Sequence, residues 1–110
     1  MLQGEIWNVY LDPTKGSEQT GRRPAVIVSG NLANTYLKVV IVCPLTTNIK
    51  NYKGNVILDP NSTNGLKEKS EVLTFHIRSI DKERFKSKIG DISKVELKGI
   101  KDCLEDILTM

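Results

Sequence analysis

The side chains of this sequence that are best suited to act on an anion are two adjacent arginines, Arg22 and Arg23. A guanidinium stays protonated and presents a planar fork of N–H donors, which suits a phosphate or a carboxylate. Thr46, His76 and Arg78 are further polar candidates near the ends of apolar runs. A site built from arginine, threonine and histidine fits phosphoryl transfer, in which stabilising the charge on the phosphate is most of the task.

The sequence gives little support to other kinds of catalytic site. His76 is the only histidine, no pair of carboxylates stands out, and there is no phosphate-binding glycine loop of the GxxxxGK kind. Cys43 and Cys103 do not show metal-ligand spacing, and a single histidine cannot complete a zinc site with them. We therefore expect neither a metal nor a cofactor, and we interpret the two cysteines as buried thiols.

The paired arginines end a polar stretch, residues 16–24, that lies between two strand-like segments. A long charged loop between core strands is costly to order and usually exists for function. The simpler interpretation is a solvated hairpin loop with two surface arginines.

Short strands are predicted along most of the chain, because these segments are β-branched or alternate in polarity. They span residues 6–11, 24–29, 37–43, 55–58 and 70–78, with a last short strand at 88–92. The most apolar of them indicates a central strand, which Pro44 should end because proline cannot donate to the ladder. The alternation in residues 70–78 directs three apolar side chains towards the core: Leu73, Phe75 and Ile77.

The C-terminal segment carries the clearest helix signal. Ser93 and Glu96 have the spacing of a capping box, and leucine and isoleucine recur after them with helical periodicity. A helix from near Lys94 to near Thr109 is predicted. Five to six strands followed by one helix, with no helix between strands to serve as a crossover, indicate a mainly β fold with α, a small curved barrel or sheet on which the helix packs.

Composition indicates one soluble domain of 110 residues, with 39% hydrophobic and 26% charged residues. No apolar run approaches the roughly 20 residues of a membrane span, and the N-terminus does not resemble a signal peptide, so we expect a cytoplasmic protein with no membrane partner. The net charge of +3 comes entirely from residues 1–55, because residues 56–110 hold ten basic and ten acidic residues. This distribution permits a polyanionic partner.

A series of short motifs, each present once, follows a specific order over nearly the whole chain. They are Gly4-Glu5-Ile6-Trp7, Leu11-Asp12-Pro13, Gly16-Ser17-Glu18-Gln19, Arg22-Arg23-Pro24, Val42-Cys43-Pro44-Leu45-Thr46, Ser70-Glu71-Val72-Leu73 and Ile77-Arg78-Ser79-Ile80-Asp81-Lys82. In this order and spacing, the sequence resembles the MazF/PemK family, the endoribonuclease toxins of bacterial toxin–antitoxin pairs.

The resemblance implies an SH3-like β-barrel that forms a homodimer and cleaves single-stranded RNA, chiefly mRNA, at short motifs without a metal. The 2′-hydroxyl would attack the adjacent phosphorus and leave a 2′,3′-cyclic phosphate and a 5′-hydroxyl end. A cognate antitoxin is implied as well, and its disordered acidic segment would lie over the basic groove.

Residue roles also follow from the resemblance. The family's catalytic arginine precedes a proline and corresponds to Arg23, and its catalytic threonine, in a Pro-hydrophobic-Thr motif, corresponds to Thr46. The residues expected to contact RNA are Ser17, Glu18, Gln19, Asn48, Lys50, His76 and Arg78. Residues 15–21 are expected to be mobile without RNA, because two glycines and no apolar anchor leave little to hold them.

Several assignments stay open at this point. His76 occupies a position where relatives often carry glutamine, so it is a base contact, a surface histidine or, with less support, an acid–base group. Arg78 either contacts RNA or orders the site through a carboxylate such as Glu18, and Lys50 is either a phosphate contact or a solubilising charge. Two other functions would suit the same fold: a toxin that poisons DNA gyrase, and a non-catalytic RNA- or peptide-binding module.

Overall fold

A computed structural model describes residues 1–11 and 22–109. Within them lie strands β1 (Glu5–Tyr10), β2 (Arg22–Ile27), β3 (Val39–Thr46), β4 (Ile57–Leu58), β5 (Ser70–Val72), β6 (Arg78–Asp81) and β7 (Phe85–Asp91) and helices α1 (Asn31–Tyr36) and α2 (Lys94–Thr109). Two 3₁₀ turns, Thr74–His76 and Lys82–Arg84, flank β6.

The strands form one antiparallel sheet in the order β4-β5-β3-β2-β1-β7, with β6 also pairing with β3. Strands β5 and β6 follow each other along the same edge of β3, so the seven segments occupy six positions. The sheet curls into a half-barrel. The predicted fold class, mainly β with a C-terminal helix, is therefore confirmed.

The two faces of the sheet bury separate groups of apolar side chains. One group packs against α2 through Ile100 and contains Ile6, Val26, Val28, Cys43, Leu45, Leu58 and Val72. The other group lies on the opposite face and contains Val9, Leu11, Ala25, Ile27, Val40, Val42 and Ile80. Strand β3 buries apolar side chains on both faces, which explains why residues 37–43 are the most apolar of the predicted strands.

Helix α2 begins at Lys94 and ends at Thr109, as the sequence predicts. The capping box is formed in both directions: Ser93 N donates to Glu96 Oε1 at 2.8 Å, and Glu96 N donates to Ser93 Oγ at 3.1 Å. Cys43 and Cys103 are both buried free thiols, also as predicted. Burial, with Cys103 nearby, raises the pKa of the Cys43 thiol to about 12. Over the described residues, no helix is long and apolar enough to cross a membrane.

The prediction of one strand over residues 70–78 was wrong. The 3₁₀ turn Thr74–His76 separates β5 from β6 and interrupts the expected alternation of buried and exposed side chains. Val72 and Thr74 are fully buried, whereas Phe75 and Ile77, which were expected in the core, are 48% and 42% exposed. Only Leu73 of the three predicted core residues is buried.

Pro44 lies inside β3 instead of ending it. Its carbonyl oxygen accepts the N–H of Leu73 at 2.9 Å, on the edge of β3 that β5 and β6 share. In an antiparallel strand the N–H and the C=O of one residue point to the same side. The donor that proline lacks therefore faces the interruption between β5 and β6, where no ladder partner requires it.

Candidate active site

Arg23 and Thr46 lie at adjacent ends of two central strands. In the β2–β3 ladder, Ala25 is opposite Pro44, and continuing this register by two residues places Arg23 opposite Thr46. Because side chains alternate between faces, both point to the same face of the sheet as Ala25 and Pro44. The strand register thus brings together two residues that are 23 positions apart in sequence.

An open cavity of about 350 Å³ lies at these strand ends. It is lined by Arg23, Pro24, Leu45, Thr46, Thr47, Asn48 and Ser70. Arg23 is exposed, and over the described residues no carboxylate forms an ion pair with it. The cavity therefore presents a positive charge and several hydroxyl and amide groups, which suits a phosphate group.

The Thr46 hydroxyl is held in a defined orientation. Thr46 Oγ1 accepts a hydrogen bond from the backbone N–H of Asn48 at 3.1 Å. A hydroxyl that accepts from the protein keeps its own O–H for donation to another group. Thr46 is therefore placed to donate to an anionic oxygen in the cavity. Thr47 also lines the cavity but is more exposed than Thr46.

Among the other predicted RNA contacts that the structure describes, only Asn48 lines this cavity. Lys50 follows Asn48 on the same loop with an exposed side chain. Arg78 is opposite Val42 in the β3–β6 ladder, so it shares the sheet face of Arg23 and Thr46 farther along β3. His76 is exposed in the 3₁₀ turn, packs edge-on against Phe75 and does not line the cavity. Ser17, Glu18 and Gln19, and the loop 15–21 expected to be mobile, fall outside the described residues.

A second open cavity, of about 290 Å³, continues from the first and shares Pro24, Thr47 and Ser70 with it. Its other lining residues are Asn8, Gly65, Leu66, Lys67, Glu68 and Ile89. The two cavities form a groove across the end of the sheet. Leu66 and Lys67 are groove residues that the sequence analysis missed, since a turn-rich segment carries no signal of what it faces.

Glu71 is the main structural feature of the site that the sequence analysis did not assign. Its side chain is fully buried, and its carboxylate accepts hydrogen bonds from four groups. These are Lys50 N at 2.8 Å, Asn51 N at 3.0 Å, Tyr52 N at 2.9 Å and Asn55 Nδ2 at 2.9 Å. The carboxylate therefore anchors the loop that follows Thr46.

Two buried carboxyls have pKa values below the ordinary value. Burial alone would raise the pKa of Glu71, but the hydrogen bonds from Asn55 and from the loop N–H groups outweigh burial and lower it. Burial would likewise raise the pKa of Glu5, and the hydrogen bonds from Trp7 and Leu2, together with Lys88, lower it. Both groups are held in the charged form because donors surround them.

These shifts predict a loss of stability in acid. A carboxyl whose pKa is lowered in the folded protein contributes stability above its unfolded pKa, ordinarily 4.5, and that contribution is lost as the pH falls through the folded value. We expect the free energy of unfolding, measured by urea denaturation, to decrease as the pH falls below about 4.5. The Glu71→Gln variant should show a shallower decrease than the wild type, and equal slopes would contradict the assignment.

The fold and the cavity define a small, curled β-barrel-like domain with an open cavity beside Arg23 at the ends of its central strands. Over residues 2–108 the sequence matches the family model of the PemK-like, MazF-like toxin of type II toxin–antitoxin systems. The chain therefore belongs to the PemK/MazF toxin family, as its motifs indicate.

Individual relatives agree with this assignment. The endoribonuclease MazF9 of Mycobacterium tuberculosis is 40% identical, over 96% of this chain and 93% of its own length. The endoribonuclease MazF of Staphylococcus saprophyticus is 32% identical, over 96% of this chain and 88% of its own. A mycobacterial endoribonuclease solved in complex with its cognate antitoxin has the same fold, with a TM-score of 0.80 and 23% identity over 100% of this chain and 96% of that one.

Proposed function

We propose that this protein is the toxin of a type II toxin–antitoxin pair and acts in the cytoplasm as a metal-independent endoribonuclease on single-stranded RNA, chiefly mRNA. The observation that carries the proposal is the cavity in which Arg23, Thr46 and Asn48 meet. The endoribonuclease relatives support it, since they are 32% and 40% identical over nearly the whole chain. The gyrase-poison and simple binding-module alternatives gain no comparable support.

Arg23 and Thr46 have complementary roles in this proposal. The RNA 2′-hydroxyl oxygen forms a bond to the adjacent phosphorus, and the bond from phosphorus to the 5′-oxygen breaks. Arg23 stays protonated, so it binds the phosphate oxygens and stabilises the charge that builds up on them. Thr46 donates its O–H to one of these oxygens. The 2′-hydroxyl gives up its proton to solvent, and the 5′-oxygen leaves with a proton taken from solvent, which gives a 2′,3′-cyclic phosphate and a 5′-hydroxyl end.

Of the described residues 1–11 and 22–109, none of those that line the first cavity has a side chain that is a base at neutral pH. Arg23, Thr46, Thr47, Asn48 and Ser70 can bind and orient an anion, but they do not accept the proton of the 2′-hydroxyl. Glu18, which could accept it, lies outside the described residues. The described part of the site thus supports the proposed phosphate binding and charge stabilisation.

Two protein partners are part of the proposal. An antitoxin with a disordered, acidic segment would complement a groove in which Arg23 and Lys67 outnumber one carboxylate, Glu68, and the excess positive charge of residues 1–55 favours the encounter. The mycobacterial relative that was solved with its cognate antitoxin shares this fold.

A homodimer is proposed as well. Exposed Tyr52, Phe75 and Ile77 are apolar surface that a second copy could cover.

The test is cleavage of a long single-stranded RNA in excess EDTA, followed by mapping of the ends. We expect cleavage at a few short motifs, 5′-hydroxyl ends that accept phosphate from a polynucleotide kinase without prior dephosphorylation, and cyclic phosphate ends that open in acid. RNA that stays intact while the protein is folded would overturn the endoribonuclease assignment. Cleavage that disappears in EDTA would overturn only the metal-independent mechanism.

A further inference from the structure

We propose that Glu71 is a positioning residue for RNA cleavage, because its buried carboxylate fixes the loop of residues 48–52 so that Thr46 and Asn48 face the cavity. This inference rests on the endoribonuclease function proposed above. Glu71 itself does not line the cavity, so it acts through the loop and does not touch the substrate.

Glu71 holds the loop at both of its ends. Its backbone is opposite Thr46 in the β3–β5 ladder, at the point where the loop begins. Its carboxylate accepts the N–H groups of Lys50, Asn51 and Tyr52, where the loop ends. Between these two points, the N–H of Asn48 binds Thr46 Oγ1. One residue therefore fixes the path of the chain on both sides of the hydrogen bond that orients the catalytic hydroxyl.

The loop conformation depends on the anion that it encloses. Asn51 has a φ of 57°, a left-handed conformation that asparagine adopts more readily than most residues. Such a residue turns successive N–H groups towards one point, which forms a small anion-binding nest. Three aligned N–H groups around a neutral side chain would lose most of their stabilisation, so the nest requires the Glu71 charge.

A second layer keeps the carboxylate in place. Asn55 Nδ2 donates to Glu71 Oε2 at 2.9 Å, while Asn55 Oδ1 accepts the hydroxyl of Thr74 at 2.7 Å. Because the carboxylate only accepts hydrogen bonds, it faces the NH2 group of Asn55 and leaves the amide oxygen to accept from Thr74. Thr74 and Glu71 are both fully buried, so these two side chains of the network are shielded from water. Through these hydrogen bonds, buried side chains restrict the movement of an exposed loop.

The test compares Glu71→Gln with the wild type by single-site cleavage kinetics, at a temperature where circular dichroism shows both to be folded. The glutamine amide would place an NH2 donor beside backbone N–H groups that are also donors, so the loop should be held less tightly. We expect kcat to fall by about 10- to 100-fold, the scale of a misplaced catalytic group. KM should stay within about threefold, because Arg23 and the groove lysine still attract the RNA.

Hydrogen exchange supplies a readout that does not depend on activity. The amides of Lys50, Asn51 and Tyr52 should exchange faster in Glu71→Gln, while those of Val42 and Cys43 in β3 stay protected. If Glu71→Gln does not fold, Asn55→Ala removes a single donor to the same carboxylate and should lower kcat by about 3- to 10-fold.

Glu5→Gln is the matched control. Glu5 is also a buried carboxyl, and it accepts Trp7 Nε1 at 2.8 Å and Leu2 N at 3.0 Å, but it lines neither cavity. Its loss should lower the melting temperature and leave kcat unchanged. A parallel loss of kcat in Glu5→Gln would show that kcat follows stability alone and would overturn the inference.

Different results would overturn the endoribonuclease function and the positioning role of Glu71. If the wild type leaves RNA intact, the endoribonuclease function is wrong, and the inference about Glu71 falls with it. If the wild type cleaves RNA and folded Glu71→Gln retains kcat within about twofold, only the positioning role of Glu71 is overturned. If Glu71→Gln does not fold, an unchanged kcat in Asn55→Ala likewise overturns only the positioning role of Glu71.

Discussion

Replacement of Arg23 by alanine is expected to lower the rate constant for RNA cleavage by about 10³-fold or more, the largest effect on activity that we predict for any single side chain. Among the described residues that line the first cavity, Arg23 is the only charged one, so its loss removes their charge stabilisation of the phosphate. Because the side chain is exposed, the free energy of unfolding should change by less than about 0.5 kcal/mol.

Arg23→Lys separates charge from geometry. Lysine keeps the positive charge but loses the planar fork that binds two phosphate oxygens together. We expect its rate constant to lie between those of the wild type and the alanine variant. The measurement is single-turnover cleavage of a short RNA that contains one site, with protein in excess, so that product release does not mask the chemical step.

Arg22→Ala is the natural control for this prediction. Arg22 is the preceding residue and is equally exposed, but strand alternation turns it to the other face of β2, and it does not line the cavity. Its loss should change the rate constant by only a few-fold and make RNA binding slightly less sensitive to salt. Equal losses of rate in Arg22→Ala and Arg23→Ala would show that net charge, and not the position of Arg23, supports cleavage.

The parts of this structure that follow from local rules could be predicted from the sequence. The ends of α2 depend on Ser93, Glu96 and the spacing of apolar residues, all of which lie within the helix or one residue before it. For the helix the determinants are adjacent in sequence, so pattern and structure agree. The placement of Arg23 and Thr46 at neighbouring strand ends is different, because it depends on the β2–β3 register, and the sequence indicated it only through the family resemblance.

The break at Thr74–His76 could not be predicted in this way, because the polar and apolar residues keep alternating through it. The cause is tertiary: Thr74 is buried by its hydrogen bond to Asn55, 19 residues earlier. Glu71 is a similar case. A carboxylate in a strand normally faces water, and its burial here depends on N–H donors from a loop up to 21 residues away. No local pattern carries that information.

Replacement of Gly90 by alanine is expected to cause the largest loss of stability that we predict, at least about 3 kcal/mol. Gly90 lies in β7 opposite Ile6 of β1, and it is buried. A Cβ atom at this position would lie less than 3.0 Å from the backbone of Asn64 and from the carbonyl oxygen of Thr63. These close atoms all belong to the backbone, so no flexible side chain can move aside. The backbone of β7 or of the turn at Thr63 and Asn64 would have to shift.

The segment that Gly90 contacts has little freedom to adjust. Asn64 is fully buried, and its side chain binds three backbone groups: it accepts from Asn61 N at 3.1 Å and Leu66 N at 2.9 Å and donates to Asp59 O at 2.8 Å. Asp91 N, next to Gly90, donates to Thr63 O at 3.0 Å. A displacement large enough to admit a methyl group would break several of these hydrogen bonds together.

Gly30→Ala serves as the comparison, because a Cβ at Gly30 would meet no atom within 4 Å and its φ is −69°. Its free energy of unfolding in urea should change by no more than about 1 kcal/mol, the scale of a helix N-cap substitution. The turn on which Gly90 packs leads into Leu66 and Lys67, which line the groove beside the Arg23 cavity. A Gly90→Ala protein that stays folded should therefore bind RNA more weakly. If Gly90→Ala is as stable as Gly30→Ala, the turn at Thr63 and Asn64 does not pack against β7 in solution.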